Sequence, residues 1–263
     1  MQNDKHTSKS FDQDIDEAIR LFLYMGDSAA NKLSKALHAL IDKDVILAQE
    51  VIDMDFDINR MEIELDEHIL LLVAKRQPTA SDLRLVMAIS KGVVVLERIG
   101  DEAVKIAQMA LKITSQNHTP YGYAEIQNLG NHVRLMLHNA LDAFSQSNAE
   151  QAFEVIRDDD VVNAEYQSAL RALMTYIMED SRHVSKFINV MWVLRALERI
   201  GDHAQNIAEL VIHYMSGHDV RHSDYTSVEK AVQEANDRMA THYPQVAMSQ
   251  EHTMPSSDIK AKE

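Results

Sequence analysis

The residues of this chain best suited to chemistry are carboxylates that occur in pairs within a duplicated motif. The sequence Leu-Glu-Arg-Ile-Gly-Asp at residues 96–101 returns at residues 197–202, an offset of 101 residues. On a helix, this spacing places two acids of each copy on one face: Glu97 with Asp101, and Glu198 with Asp202. Adjacent carboxylates repel one another unless a positive charge lies beside them, and a metal ion is the leading candidate for that charge.

A second, fainter repeat supplies acids that can face these motifs. At an offset of 104 residues, Asp55 corresponds to Asp159 and Asn59 corresponds to Asn163. Asp55 and Asp159 both interrupt apolar stripes whose spacing is that of a helix buried on one side. An acid on a buried stripe is costly unless a cation compensates its charge. We therefore predict two metal sites between facing helices: Asp55, Asn59, Glu97 and Asp101 in the first copy, and Asp159, Asn163, Glu198 and Asp202 in the second.

Both predicted sites offer only oxygen ligands, which favour hard cations over soft ones. We expect Mn²⁺, Mg²⁺, Zn²⁺ or iron, without a choice among them. Gly100 and Gly201 stand inside the motifs, where a glycine costs about 1 kcal/mol relative to Ala, so they predict close approach of the neighbouring helix. The alternative interpretation is that the acids are ordinary surface groups, neutralised by Arg98 and Arg199 of the same motifs.

Long helices are needed to position these motifs, and the composition favours such helices. The chain of 263 residues contains only 7 Gly and 4 Pro, and its apolar residues recur at helical spacing. Six helical stretches with short connections predict an all-α fold of two tandem antiparallel three-helix bundles, an internal duplication with an elongated shape. The first stretch is predicted from about Asp14, and the second from an N-cap at Asp44 to about Arg76. We place the first bundle at residues 12–117, the second at residues 121–217, and a tail that is partly helical or disordered at residues 218–263.

Charge and hydropathy exclude several classes of partner. Lys and Arg number 26 against 41 Asp and Glu, a net charge of −15, which disfavours nucleic acid and a bare anionic membrane. The longest apolar run, residues 69–74, is far shorter than the ~20 residues of a membrane span, so no membrane insertion is expected. The lack of cysteine fits a cytoplasmic protein. We identify no catalytic residue, because the Glu-x-x-His pairs of di-iron bundle enzymes do not occur in the sequence.

The duplicated motif and the segment Ala-Lys-Arg-Gln-Pro-Thr-Ala-Ser-Asp-Leu-Arg at residues 74–84 resemble the PhoU family of phosphate-transport accessory regulators. The resemblance covers about residues 8–217. It implies two three-helix bundles, a cytoplasmic homodimer and no established enzymatic activity. It also implies multinuclear metal clusters at the paired motifs, as in some members of the family. Asn59 and Asn163 stand where the family has a second Asp, and each substitution removes one negative charge.

Members of that family restrain phosphate uptake and the phosphate-starvation response when phosphate is plentiful. The resemblance therefore implies a negative regulator that links the ATPase subunit of a phosphate ABC transporter to a phosphate-sensor histidine kinase. Residues that flank the Pro78 turn are selected for partner binding: Arg76, Asp82 and Arg84. The alternative is that these residues cap the third helix and tie the turn together. Two other functions stay open, a metal-dependent helical-bundle enzyme and a metal-free helical scaffold.

Overall fold

The computed structural model describes residues 4–115, 122–179 and 184–242, without the side chains of residues 4–9, Asp55 and residues 239–242. Within these ranges no strand occurs and eight helices follow one another: α1 (Asp4–Ile41), α2 (Val45–Asp53), α3 (Asp55–Arg76), α4 (Ala80–Thr114), α5 (Tyr123–Gln146), α6 (Ala149–Glu179), α7 (Val184–Ser216) and α8 (Tyr225–His242). None of these eight helices is both long enough and apolar enough to cross a membrane. The predicted all-α fold class is confirmed.

Each half of the chain forms a bundle in which the predicted apolar stripes are buried. The first bundle consists of α1, α4 and the α2–α3 pair, and it buries Val51, Ile58 and Leu65. The second consists of α5, α6 and α7, and it buries the equivalents of those residues: Val155, Val162 and Ala169. Full burial of a Val, Leu or Ile side chain contributes ~1.5–3 kcal/mol. Packing of these stripes, more than helix propensity, therefore holds the long helices in place.

Equivalent polar side chains begin the second helical stretch of each half. The Asp44 carboxylate accepts a hydrogen bond from the Leu47 N–H at 2.9 Å at the start of α2. The side-chain oxygen of Asn148 accepts one from the Gln151 N–H at 3.0 Å at the start of α6. Such N-caps satisfy backbone donors that the first turn of a helix leaves unpaired. The predicted cap at Asp44 is confirmed.

Two helices differ from their predicted extent. Helix α1 begins at Asp4, earlier than the predicted start near Asp14. The predicted second helix, which was expected to run unbroken to about Arg76, is interrupted at Met54, whose carbonyl oxygen accepts a hydrogen bond from the Asp57 N–H at 3.2 Å. The interruption contains neither Pro nor Gly, and the residue types there do not explain it. The equivalent helix of the second bundle, α6, is continuous.

The two bundles lie side by side, because α4 packs antiparallel against α7 along most of its length. Near one end of this pair, Nε of Arg84 donates a hydrogen bond to the Tyr214 carbonyl oxygen at 3.2 Å. Farther along, Nη1 of Arg199 lies 3.1 Å from Oε1 of Glu102. Helix α1 also packs antiparallel against α5. The rings of Phe22 and Phe144 are in contact there, with 4.4 Å between their centroids. The apolar core is therefore continuous across both halves.

Contacts between α1 and α5 show that an approximate two-fold axis relates the halves. A Cβ atom at Gly26 would lie 2.5 Å from Cδ2 of Leu141. A Cβ atom at Gly130, the equivalent of Gly26, would lie 3.0 Å from Cδ1 of Leu37, the equivalent of Leu141. Each glycine thus meets the leucine of the other half, and the lack of a Cβ lets the helices approach this closely. The duplicated halves repeat one contact in opposite directions.

Helix α8 adds a fourth helix to the second bundle and covers the groove between α6 and α7. Its packed face consists of small apolar residues: Val228, Ala231, Val232 and Ala235. At its first residue, the Tyr225 hydroxyl donates a hydrogen bond to Oδ2 of Asp160 on α6 at 2.5 Å. Farther along, the Asn236 side-chain amide donates one to Oε1 of Glu150 at 3.0 Å. The predicted tail is therefore helical over Tyr225–His242, while residues 243–263 lie outside the described residues.

Candidate functional site

The second copy of the predicted site lies where α6 meets α7, and two of its acids are buried. Asp159 on α6 is 7% exposed, Glu198 on α7 is 8% exposed, and Asp202 is half-buried. The Asn163 side-chain amide donates a hydrogen bond to Oδ2 of Asp159 at 2.8 Å. Nη1 of Arg195 donates one to Oε1 of Glu198 at 2.5 Å. Each buried carboxylate therefore has one oxygen satisfied by a neighbour on its own helix.

The other oxygen of each buried carboxylate is orphaned. Oδ1 of Asp159 and Oε2 of Glu198 have no hydrogen-bond partner among the described residues. Burial, reinforced by the charges of Asp202 and other nearby carboxylates, raises the pKa of Asp159 to about 6. Burial and the charge of Asp202 also raise the pKa of Glu198, although Arg195 opposes this shift. Burial raises the pKa of Asp202 as well. The cluster thus carries more negative charge than its surroundings stabilise.

The donor set of this cluster fits a metal ion in its chemistry. A divalent cation would supply a partner for the orphaned oxygens of Asp159 and Glu198 and would reverse the repulsion between the carboxylates. As the described side chains stand, no three His, Asp or Glu groups lie close enough together to hold an ion. Binding would therefore require the carboxylates to rotate about their side-chain torsions. Asn163, which was predicted as a ligand, instead donates its amide N–H to Asp159.

The first copy of the site lies where α3 meets α4, and it contains a buried cation. Three of its predicted members are half-buried: Asn59, Glu97 and Asp101. The fourth, Asp55, begins α3, and its side chain lies outside the described residues. Lys32 on α1 is fully buried at this position, with its Nζ 3.8 Å from the point that a Cβ of Gly100 would occupy. Sequence reasoning did not anticipate an ammonium group here.

The glycines of the two motifs show how closely the equivalent helices approach. A Cβ atom at Gly100 would lie 3.0 Å from Cδ1 of Ile58, and one at Gly201 would lie 3.0 Å from Cγ1 of Val162. The predicted close approach is confirmed in both halves. Oδ1 of Asp159 lies 3.7 Å and Sδ of Met136 lies 3.9 Å from the Cβ point of Gly201. Neither atom is cationic, whereas Nζ of Lys32 lies near the Cβ point of Gly100.

The arginines of the motifs contribute to the contact between the bundles. Arg199 pairs across the α4–α7 contact with Glu102, a 3% exposed acid that also lies 3.0 Å from Nζ of Lys105. His203 is the equivalent of Glu102 in the second copy and is 8% exposed. Burial, with the positive charges of Arg199, Arg98 and Lys105, lowers the pKa of His203 to about 4. The direct partner of Arg199 is therefore an acid of the other half, not an acid of its own motif.

The residues predicted to bind a partner have different surroundings. Nε of Arg76 lies 2.8 Å from Oδ2 of Asp14, a contact that fastens the end of α3 to α1. Nε of Arg84 donates a hydrogen bond to the Tyr214 carbonyl oxygen near the C-terminal end of α7. A positive charge is stabilised there by the negative end of the helix dipole. Asp82 is half-buried in the first turn of α4. Arg76 and Arg84 thus join elements of the fold, and a partner role for the three residues stays a prediction.

Sequence reasoning missed three charged residues of these sites: Lys32, Glu102 and Arg195. Lys32 lies on the buried stripe of α1, between Ala29 and Ala36, and the offset of 104 residues pairs it with Met136. That pairing was the available signal. Arg195 precedes Glu198 by three residues, the spacing of an ion pair on one helix face. Glu102 carries no signal of its own, because only the packing of α4 on α7 brings it to Arg199.

A duplicated helical bundle with one acidic motif in each copy defines the class of this protein, and comparison with known proteins identifies the family. The PhoU domain family matches the chain twice, at residues 22–110 and 126–211. The phosphate-specific transport system accessory protein PhoU homolog of Pseudomonas aeruginosa is 46% identical over 228 residues, which cover 87% of this chain and 94% of that protein. The corresponding accessory protein PhoU of Escherichia coli (strain K12) is 42% identical over 226 residues, which cover 86% and 93%. The chain belongs to the PhoU family.

Solved structures agree with this assignment. The crystal structure of PhoU from Pseudomonas aeruginosa has a TM-score of 0.77 at 46% identity, and the match covers 79% of this chain and 100% of that one. The phosphate transport system regulatory protein PhoU from Streptococcus pneumoniae has a TM-score of 0.74 at 28% identity, with coverage of 80% and 99%. The helical bundle fold is therefore shared at two levels of sequence similarity.

Proposed function

We propose that this protein is a negative regulator of phosphate homeostasis that acts with a phosphate-specific transport system. The observation that carries the proposal is the family match, which spans both bundles and includes both acidic motifs. Relatives from Pseudomonas aeruginosa and Escherichia coli are named accessory proteins of phosphate-specific transport. The relative from Streptococcus pneumoniae is named a regulatory protein of the phosphate transport system. These names support control of phosphate uptake rather than transport itself.

The regulator acts by binding and not by catalysis. In this proposal it is a cytoplasmic homodimer that restrains the ATPase subunit of a phosphate ABC transporter when phosphate is plentiful. It also signals that state to a phosphate-sensor histidine kinase. The accessory names of the relatives support a binding role. A net charge of −15 supports partners that present basic surfaces, because complementary charge speeds encounter and selects partners.

The second bundle of the regulator binds a metal ion, for which Mn²⁺, Mg²⁺, Zn²⁺ and iron are the candidates. Its ligands are the carboxylates of Asp159, Glu198 and Asp202, and the orphaned oxygens of the first two support this assignment. Asn163 and Arg195 hold the remaining oxygens and orient the acids. The ion neutralises like charges and fastens α6 to α7, which makes its role structural or regulatory.

Deletion of the gene in its own organism tests the regulatory role. Phosphate-starvation genes should stay on in phosphate-rich medium, because the restraint on the transporter and on the kinase is lost. A starvation-promoter reporter measures the effect, and re-expression of the full chain should restore repression. Normal repression in the deletion strain would contradict the proposed function.

Partner capture from phosphate-replete cells tests the binding role. The full chain should retain the transporter ATPase subunit and the sensor kinase, identified by mass spectrometry. Arg84→Glu should lose these partners while circular dichroism shows unchanged helicity, if the Pro78 end of the first bundle is the binding surface. Arg84→Ala is the matched control for loss of the Tyr214 contact alone. Equal capture by all three proteins would remove Arg84 from the partner surface.

Thermal unfolding of chelator-stripped protein tests the metal site. Mn²⁺ at 100 times its dissociation constant stabilises the folded state by about 2.7 kcal/mol, which raises the melting temperature by about 5–10 °C in a chain of this size. The Glu198→Gln, Asp202→Asn double variant should show no such rise. An unchanged melting temperature in the wild-type protein would favour the metal-free scaffold. Turnover of phosphate esters by the metal-loaded protein would favour the enzyme.

A further inference from the structure

Lys32 places a fixed positive charge at the first copy of the acidic site, and the second copy has an uncharged residue there. The Nζ atom of Lys32 lies 3.8 Å from the Cβ point of Gly100, and the side chain is fully buried. Met136 occupies the equivalent position on α5, with its Sδ 3.9 Å from the Cβ point of Gly201. Helices α3 and α6 approach Gly100 and Gly201 equally closely, with side-chain atoms 3.0 Å from each Cβ point. The two halves therefore differ here in the charge of one residue and not in the spacing of their helices.

A buried ammonium group and a metal ion serve the same purpose beside buried carboxylates. A lysine keeps its charge in a dry site only when acids lie near it. Gly100 lies next to Asp101 and three residues after Glu97, so the Lys32 ammonium approaches the first acidic motif at a residue that lies between its two acids in the sequence. In the second motif the position equivalent to the Lys32 ammonium holds the uncharged Met136. Arg195 pairs with only one oxygen of Glu198, and Asp159 and Glu198 each keep one orphaned oxygen among the described residues.

We propose that the Lys32 ammonium is a built-in cation that takes the place of metal in the first bundle. The chain then binds metal only through the second bundle, at Asp159, Glu198 and Asp202. This inference rests on the metal-binding role proposed above for the second bundle. A divalent ion that entered the first site would meet the fixed ammonium at close range, and like charges repel strongly in a desolvated site. The α3–α4 contact is therefore independent of metal, whereas the α6–α7 contact depends on it.

The metal content of the full-length chain tests the proposal. Protein stripped with a chelator is dialysed against Mn²⁺ alone and desalted, and bound Mn²⁺ per chain is measured by inductively coupled plasma mass spectrometry. The Glu97→Gln, Asp101→Asn variant should keep all of the wild-type metal, whereas Glu198→Gln, Asp202→Asn should lose all of it. Loss of metal from the first variant would overturn the proposal.

Exchange of the two residues gives a second, independent readout. Lys32→Met copies the second bundle into the first and should raise bound Mn²⁺ about twofold, because two similar sites are then open. Met136→Lys should abolish binding and should make the melting temperature insensitive to Mn²⁺. Lys35→Met is the matched control, because Lys35 lies on the same helix but pairs with Glu50 at its surface. Retention of Mn²⁺ by Met136→Lys would overturn the proposal even if Lys32→Met failed to fold.

The outcomes separate this inference from the proposed function. Wild-type protein that binds no Mn²⁺ would overturn both the inference and the metal site of the second bundle. Equal losses in both double variants would overturn the inference alone, because both bundles would then bind metal. Neither result bears on phosphate regulation, which the deletion strain tests.

Discussion

The carboxylate of Asp159 shows how one buried acid makes the second bundle sensitive to its surroundings. Burial and neighbouring carboxylates raise its pKa to about 6, so the charged form is disfavoured in the folded protein. The folded state then holds a proton more tightly than the unfolded state does, and the free energy of unfolding falls as the pH rises from about 4 to about 6. Above that range the penalty is fully present. Metal-free protein should therefore be less stable at neutral pH because of Asp159.

Replacement of Asp159 by Asn tests this penalty. The neutral amide should stabilise metal-free protein by up to about 3 kcal/mol at pH 7.5, because the pKa of Asp159 rises from 3.8 to about 6 and one pKa unit corresponds to about 1.4 kcal/mol. At pH 4 the variant and the wild type should be nearly equal. Urea unfolding in the presence of a chelator measures the difference at both pH values. Asp158→Asn on the same helix is the control, and an equal gain from both variants would contradict the assignment to Asp159.

Individual residues also show where the sequence was informative. Repetition marked Asp159, Glu198 and Asp202, because an acid at the same place in two stripes is improbable unless the fold uses it. Lys32 carried a weaker signal, since a lysine among apolar residues on α1 stands out only after α1 is aligned with α5. His203 faces charges from α4, and its surroundings depend on how the two bundles pack. Local patterns therefore marked the acids of the second cluster, but they marked neither the buried Glu102 nor the cations that meet these acids.

Among the helices, the position of α8 is set by tertiary packing, because its apolar face fills the groove between α6 and α7. Four small apolar residues of α8 pack on α6 and α7, and hydrogen bonds fasten the helix at its first residue, Tyr225, and farther along at Asn236. The sequence indicated a helix near this position but not its contact, because the stripe is short and contains two alanines. The break at Met54 was not predictable either, since neither residue type nor period changes there. Periodicity predicted the long helices well, because each has one buried stripe over many turns.

A charge on the packed face of α8 tests its contribution. Ala235 is fully buried, so Ala235→Glu would force a carboxylate into the groove or release the helix from it. Release limits the loss of stability to what the α8 contact contributes, about 2–4 kcal/mol from its small apolar side chains. Circular dichroism melts measure the loss. Lys230→Gln, an exposed change on the same helix, should leave the melting temperature nearly unchanged, and equal melts for the two variants would contradict the observed packing.

The whole molecule is held together by the antiparallel packing of α4 on α7 and of α1 on α5. These contacts bury Phe22 and Phe144 and place Glu102 against Arg199. The sequence predicted two bundles but not this arrangement, because an internal repeat specifies equivalent elements and not how the copies meet. Long-range packing between the halves thus decides which faces of each bundle are free.

Separation of the halves tests this dependence. A chain that ends at residue 115 would expose the α1 and α4 faces that the second half covers, and these faces are apolar over several turns. The isolated half should therefore bind more of a hydrophobic dye per residue than the full chain does, and it should self-associate through these faces. Size-exclusion chromatography with light scattering gives the mass of each protein. A stable, folded monomer of the isolated half would show that the contact between the bundles is dispensable.

The approximate two-fold axis also bears on how this chain arose. Gly26 meets Leu141 as Gly130 meets Leu37, the reciprocal pattern of a symmetric dimer in which one patch contacts its own copy. A single-bundle ancestor with these faces would have paired with a second molecule. Fusion of two copies turned that pairing into an intramolecular contact, for which the effective concentration is on the order of millimolar. It also freed each copy to change independently, so that one carries a lysine where the other carries a methionine, and within the part of the chain that the structure describes the second bundle alone has the covering helix α8.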